Sequence, residues 1–524
     1  MKYVLCLLLF ILTPDLRAQN AVPVAVRVLE AATGKPTPVR VRITRVGRPF
    51  PGLPAEALAV MYGLWDHADG YGFQPDSSFY TSGTFRLSLP PGPYQLTLSK
   101  GPEFLDQQHE LVVRAANPLS RTFSMKRWID MAARGWYSAD DHIHIRRSPR
   151  ENPILLDWLR AEDLNVGVLL KMGDFWETYY PQYAFGTSGN YQKGNFLLTS
   201  GQEDPRTPEL GHALGLGADK SVRYRDDYYY YDKVFDELHR RGGLTGYAHQ
   251  AESFHGYRGL TLDGLRRKVD LLEILQFCHD EQPLRTAHFY HLLDLGYALT
   301  AVAGSDFPWC GHDHQHGPAE RTARIGNARF YTHLDGPFTY EKWLQGVRRG
   351  HTFATTGPML HLRVGEAMPG DTLRPAPGDS LTITAQAFGH RGKVPLERLE
   401  IVGHGQVLAS VSTGAPEQTA ENLTLRFRYK PEHGLWLAAR CYAGPQQIAH
   451  TTPVYISLNG SGFHNPATVR QYLDLSERYL QEIEKELDQE RDKPEFRAWY
   501  YRKGLKERIA ETRRIVEELR GKLK

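Results

Sequence analysis

The sequence predicts a mixed fold: an α/β barrel or parallel sheet at the centre, β-domains before and after it, and a helical hairpin at the end. Three observations carry this. Between residues 128 and 355, short apolar runs alternate with helical patterns. On either side, runs that alternate apolar and polar residues are separated by Pro and Gly. After residue 459, charged residues dominate and Leu and Ile recur at helical spacing.

The first segment, residues 1–18, reads as a signal peptide. Lys2 precedes an apolar run from 4 to 12, Pro14 breaks it, and Leu16-Arg17-Ala18 resembles a cleavage site. The run is too short to span a bilayer, and no later segment is apolar and long enough to do so. Export to the periplasm or the extracellular space is therefore expected.

Residues 19–127 read as a small β-sandwich. Val24, Val26 and Val28 occupy alternate positions, and strands are expected near 39–43, 85–89 and 94–98. The turn Pro90-Pro91-Gly92-Pro93-Tyr94 resembles the carboxypeptidase regulatory-like module.

Within residues 128–355, strands are expected at 166–170, 196–200, 244–248, 271–275 and 298–303, with helices at 153–163, 228–241, 262–268 and 284–295. Apolar rather than alternating strands argue for a parallel arrangement covered on both faces. Residues 356–458 return to β patterning, and 459–462 (Asn-Gly-Ser-Gly) read as a linker. In the tail 459–524, Asn465-Pro466 starts a helix carrying Leu473, Leu480, Ile483 and Leu487. A second helix carries Leu505, Ile509, Val516, Leu519 and Leu523. The apolar stripe is either the inner face of a hairpin or an arm for a homodimer.

A formal net charge of +3 with no long basic run excludes a nucleic-acid footprint. The four cysteines, Cys6, Cys278, Cys310 and Cys441, have neither the close spacing of a zinc ribbon nor a disulfide framework; only a Cys278–Cys310 pair stays open.

The chemistry lies in where His and acidic residues fall. In α/β barrels, sites gather at the C-terminal ends of strands. His142 and His144, two apart in an extended segment, face one side. Glu203, His212, His249 and Asp306 follow other expected strands. Each alone has an ordinary alternative: a polar strand edge, an acidic loop, a loop histidine, a hydrogen-bonded strand end, a turn aspartate. Four strand ends that each deliver a metal-binding side chain are a stronger signal than any member. Imidazole and carboxylate donors suit zinc, manganese or iron. The aromatics Phe175, Trp176, Tyr179, Tyr180, Tyr183, Phe185 and Tyr228 to Tyr231 form either a substrate wall or packing. Arg146, Arg147 and Arg150 are either anion binders or surface residues.

In this order, Asp140-x-His142-x-His144, Gly201-x-Glu203, Gly211-His212, Ala248-His249 and Gly304-Ser305-Asp306 resemble the PHP domain, and more narrowly the CehA/McbA family of metallohydrolases. The stretch Gly350-His351-Thr352-Phe353-Ala354-Thr355-Thr356-Gly357-Pro358 resembles that family's junction between barrel and β-domain. The resemblance covers roughly residues 128–370. It implies a distorted (β/α)7 barrel flanked by two β-sandwich domains, with two or three divalent ions. It also implies hydrolysis by a metal-bound hydroxide, of phosphoesters or carbamates in relatives; with the leader segment, the expectation is an exported hydrolase attacking an ester, carbamate, amide or phosphoester. His142, His144, Glu203 and Asp306 would hold one ion, and Glu203 would bridge to a second held with His212 and His249. Glu203 and Asp306 would be the catalytic carboxylates.

Two positions depart from the family pattern. Pro308 stands where a His is usual, with His312, His314 and His316 nearby. Lys171-Met-Gly-Asp174 replaces an Asp-His pair, leaving Asp174 as a substitute. Asp140, Asp174, His279 and His312 are accordingly additional candidates, and His279 and Asp280 the candidates for a general acid. The expected partner is a small-molecule or carbohydrate-like substrate. The competing readings are a carbohydrate- or surface-binding protein with a degenerate barrel, and an export-stage assembly protein acting through its tail.

Overall fold

The protein is described by a computed structural model covering residues 21–49, 52–60, 72–74, 76–276, 284–308, 324–414, 420–444, 446–490 and 503–523. It is a mixed α/β structure, mostly strands. Strand Val22–Glu30 buries Val22, Val24, Val26 and Val28, as its alternation requires. It pairs antiparallel with Thr84–Leu89 and parallel with Leu119–Met125. A second sheet joins Val39–Arg45, Gly92–Ser99 and Gln107–Val113. Both sheets contribute to one apolar core that includes Phe85, Leu96 and Phe104.

The central sheet is curled. Its strands run in the order Thr300–Ala303, Leu271–Leu275, Leu244–Tyr247, Gly211–Leu216, Phe196–Thr207, Val166–Gly173, Trp136–Ile143, Arg329–His333 and Thr352–Thr355. Beyond its first strand the curl bends back on itself. Ile143 and Phe307 form a parallel bridge, and the His144 N–H donates to the Phe307 carbonyl at 2.7 Å.

The expected all-parallel alternation is incomplete. Gly211–Leu216, where a loop around His212 was expected, is a strand antiparallel to both neighbours. It is short and glycine-flanked, with Gly211 and Gly217 at positive φ, so neither a helical nor a long apolar pattern marks it. Arg329–His333 and Thr352–Thr355 are also antiparallel. Phe353, Ala354 and Thr355 then pair with Gln447–Thr451, so the hydrogen-bonded sheet runs on past residue 355.

Tail helices Val469–Glu490 and Leu505–Lys522 lie where the periodicity places them. Leu473, Leu480, Ile483, Leu487, Leu505, Ile509 and Val516 are buried in the same apolar cluster as the central sheet. Burial of each such side chain contributes about 1.5–3 kcal/mol before ordering costs. Of the two readings of the stripe, the inner face of a hairpin or a homodimer arm, these residues fit the first: they are covered by their own chain, with Leu519 and Leu523 partly buried beside them. Arg508 fixes the docking: it donates to the Tyr229 carbonyl at 2.8 Å and to Asp263 at 3.0 Å. Among the described residues, no helix is long and apolar enough to cross a membrane.

Candidate metal centre

Strand Trp136–Ile143 is buried along its whole length although it carries Ser138, Asp140, Asp141 and His142. Buried polar groups on this scale need partners. Asp140 accepts from the backbone N–H groups of His142 (3.0 Å), Ser305 (2.9 Å) and Gly326 (2.7 Å). It thus clamps strand Trp136–Ile143 to the segments at Ser305 and Gly326, and is not a member of either ligand group. Burial raises its pKa to about 6 despite these bonds.

His142 is fully buried. Its Nδ1 lies 2.7 Å from Glu273 Oε1, which places a hydrogen on Nδ1 and makes Nε2 the nitrogen that offers a lone pair whenever the ring is neutral. Nε2 stands 3.1 Å from His144 Nε2 and 3.3 Å from Asp306 Oδ1; His144 Nε2 is 3.2 Å from that same oxygen. Glu203 Oε2 is 3.4 Å from His144 Nε2 and 3.8 Å from His142 Nε2. His249 Nε2 lies 3.2 Å from Asp306 Oδ2 and 3.8 Å from Glu203 Oε1. Two overlapping groups result, His142–His144–Asp306 and His142–Glu203–His249, with donor atoms within 4.8 Å of one another.

These residues could hold a metal ion. A tetrahedral ion with bonds of about 2.0–2.2 Å spaces its ligand atoms about 3.3–3.6 Å apart, close to the distances seen. Two imidazole nitrogens facing each other at 3.1 Å share at most one hydrogen. Glu203 Oε2 is buried and accepts no well-directed hydrogen bond. Both facts fit a cation at the focus.

Glu203 lies inside strand Phe196–Thr207, not after its end as expected. Its Oε1 is 2.7 Å from His212 Nδ1, so His212 sits beside Glu203 and outside both groups. The register with Gly211–Leu216 slips between Glu203 and Arg206. The extra residue turns Arg206 back to the face that carries Glu203. Arg206 Nε is 3.1 Å from Glu203 Oε2 and 3.3 Å from His212 Nδ1, and its terminal nitrogens make no hydrogen bond among the described residues.

The electrostatics are those of crowded, opposed charges. Burial works against ionised Asp306 and Glu203. His142, His144 and His249 outweigh it at Asp306, and Arg206 and His212 at Glu203, so both carboxyls lie far below the usual range. Burial also depresses His142, but Glu273 and Asp306 outweigh it and raise its pKa well above the ordinary value. Burial and Arg206 bring His212 down to about 3. The backbone is strained here too. Asp306 has φ 54°, and His249, Gln250 and Ala251 have φ 54°, 58° and 56°. Left-handed conformations at such residues cost about 1–3 kcal/mol each and gather at functional sites.

Other expected candidates lie elsewhere. Asp174 braces a turn, accepting from the Trp176 and Glu177 N–H groups and the Tyr179 hydroxyl. It belongs to neither group. His279, Asp280, His312, His314 and His316 fall outside the described residues, as do Cys278 and Cys310; Cys441 is a buried free thiol. Arg147 is buried, not a surface residue, and braces Gly189 O, Ser200 Oγ and Gln182 Oε1. Most of the aromatic cluster is packing: Tyr228, Tyr229 and Tyr231 are buried, and Phe175 packs on the first two. Trp176 (58% exposed) and Phe254 (51%) remain open, and Phe254 stacks on His212 at 4.5 Å.

Sequence reasoning missed Glu273, Asp141 and Arg206. Glu273 was marked by being the one acid in the apolar run 271–275. Asp141 stands beside Asp140; both its oxygens lack hydrogen-bond partners, and burial together with Glu273 raises its pKa well above the usual range. Arg206 depends on a register slip that no periodicity shows.

No model of a known protein family matches the chain, and no curated protein matches it. Among solved structures, an engineered protein aligns at 12% identity and a TM-score of 0.13, over 41% of this chain and 48% of its own. The apo β-glucuronidase 3 of Bacteroides uniformis aligns at 11% identity and a TM-score of 0.18, over 81% and 61%. A β-glucosidase from Listeria innocua in complex with glucose aligns at 8% and 0.13, over 66% and 41%. The chain spans between 41% and 61% of the length of these structures. At such TM-scores the alignments carry no argument about fold or activity.

Proposed function

We propose that this chain is a metal-dependent hydrolase of the CehA/McbA type, with a PHP-like barrel flanked by two β-sandwich domains. The observation that supports it most is the convergence of His142, His144 and Asp306 on one focus and of Glu203 and His249 beside it. His142, His144 and Asp306 would hold one divalent ion. Glu203 and His249, with His212 adjoining Glu203, would hold a second. Bound zinc, manganese or iron ions supply Lewis acidity, polarising a carbonyl or phosphoryl oxygen and lowering the pKa of water.

The chain's own residues supply the rest. Glu273 orients His142, and Asp140 holds the strand ends in register. Arg206 offers unspent N–H groups beside Glu203 for an anionic or polarised oxygen. Trp176 and Phe254 offer exposed aromatic faces to the non-reacting part of a small molecule or sugar. The substrate class is an ester, carbamate, amide or phosphoester.

Metal content by elemental mass spectrometry tests this. Wild type purified without chelator should carry about two ions per chain, as a binuclear site requires, and His142→Ala should carry fewer. A wild type that is metal-free and takes up none on reconstitution sinks the proposal.

A further inference from the structure

Glu273 lies outside the proposed ligand set, yet it touches both halves of it. Strand Leu271–Leu275 is buried throughout, and the Glu273 side chain is fully buried. A carboxylate in apolar surroundings costs several kcal/mol unless it is well partnered. Both of its oxygens are spent on the candidate centre. Oε1 lies 2.7 Å from His142 Nδ1, and Oε2 accepts the backbone N–H of His249 at 2.8 Å.

The two contacts do different work. The first fixes the His142 tautomer and ring orientation, aiming Nε2 at His144 and Asp306. The second anchors the start of a turn in which three consecutive non-glycine residues have positive φ. Strained backbone persists only where its surroundings over-determine it. His142 belongs to both ligand groups, and His249 to one.

We propose that Glu273 is a positioning residue for the whole centre, setting a ring in both groups and the backbone that presents His249 in one. This rests on the metal-centre reading given under Proposed function. Glutamine separates positioning from space-filling: it keeps the volume but offers one acceptor and one donor where both contacts require acceptors.

The test uses metal-stripped, full-length wild type and Glu273→Gln. Each is titrated with Zn2+ against a chromophoric chelator, and with Co2+, whose visible absorption reports ligand geometry. The expected result is a 10- to 100-fold loss of Zn2+ affinity in the variant and a shifted Co2+ spectrum, with an unchanged far-ultraviolet circular dichroism spectrum. Wild-type affinity and Co2+ spectrum in the variant overturn the role of Glu273 and leave the metal centre standing. A wild type that binds neither ion overturns the centre and Glu273 with it. If the variant does not fold, the wild type decides. In 15N-histidine spectra of the Zn2+-loaded protein, His142 should coordinate through Nε2 and keep its hydrogen on Nδ1; coordination through Nδ1 overturns the proposal.

Discussion

At the scale of single residues, the centre is built under tight steric control. Gly304 precedes Ser305 and Asp306, and a Cβ at this position would lie 2.3 Å from His142 Cβ and 2.8 Å from Asp141 Oδ1. Only a bare backbone lets the two chain segments approach so closely. Gly304→Ala should therefore displace His142, destabilise the protein by about 1–3 kcal/mol as overpacking does, and reduce Zn2+ uptake. Urea unfolding and a chelator titration check both effects; a variant with wild-type midpoint and uptake would show that the segments separate freely. His142, His144, His249 and Asp306 were legible in the sequence because strand ends and close spacing mark them; Glu203 was legible as an acid beyond an apolar run, although its strand continues past it. Glu273 carries no comparable mark, because a single acid in the apolar run 271–275 has the same spacing as any strand residue. Asp140 was legible as an acid, but two of its three backbone N–H partners, Ser305 and Gly326, come from distant segments that spacing does not reveal.

At the scale of elements, helix Val469–Glu490 docks on helix Ala287–Asp294 through a histidine. His291 Nε2 lies 3.1 Å from the Tyr472 carbonyl, to which it donates, and 2.9 Å from Ser476 Oγ. Burial, with His288 nearby, brings its pKa from 6.5 down to about 3. The folded chain holds the ring neutral while the unfolded chain takes up a proton below pH 6.5. This contribution is complete above pH 6.5 and is lost as pH falls from there toward 3, by up to about 1.4 kcal/mol per pH unit. Urea unfolding at pH 7.5 and pH 5.0 should show a smaller loss in His291→Gln than in wild type; equal losses would show that the ring is protonated in the fold. Helices were easier to read than strands here. The tail helices declared themselves by period, the first beginning at Val469, just after the expected start at Asn465-Pro466, whereas Gly211–Leu216 is defined by partners on both sides that its own residues do not reveal.

At the scale of the molecule, the candidate ligands are brought together by closure of the curl. The Asp140 bonds to Ser305 and Gly326 span 165 and 186 residues of sequence. A ligand that binds only the closed form stabilises it by mass action, about 2.7 kcal/mol at a hundred times Kd. Chelator treatment should therefore lower the melting temperature and Zn2+ should restore it, followed by differential scanning calorimetry. An unchanged transition in a protein shown to lose its metal would place the ions outside the closure. The α/β centre and flanking β segments were legible from local patterns; the continuity of the sheet past residue 355 was not, because pairing of Phe353 with Thr451 is a long-range event.

The slipped register between Glu203 and Arg206 has an evolutionary corollary. Three steps on the strand of Glu203 oppose two on its partner, so deleting one residue from the intervening Asp204-Pro205 would remove the bulge and still leave Arg206 opposite His212, on the face that carries Glu203. Keeping the length while restoring an unbroken ladder would instead send Arg206 to the opposite face. In divergent chains that retain the pair, a bulged Glu-x-x-Arg and an unbulged Glu-x-Arg would therefore be equivalent solutions.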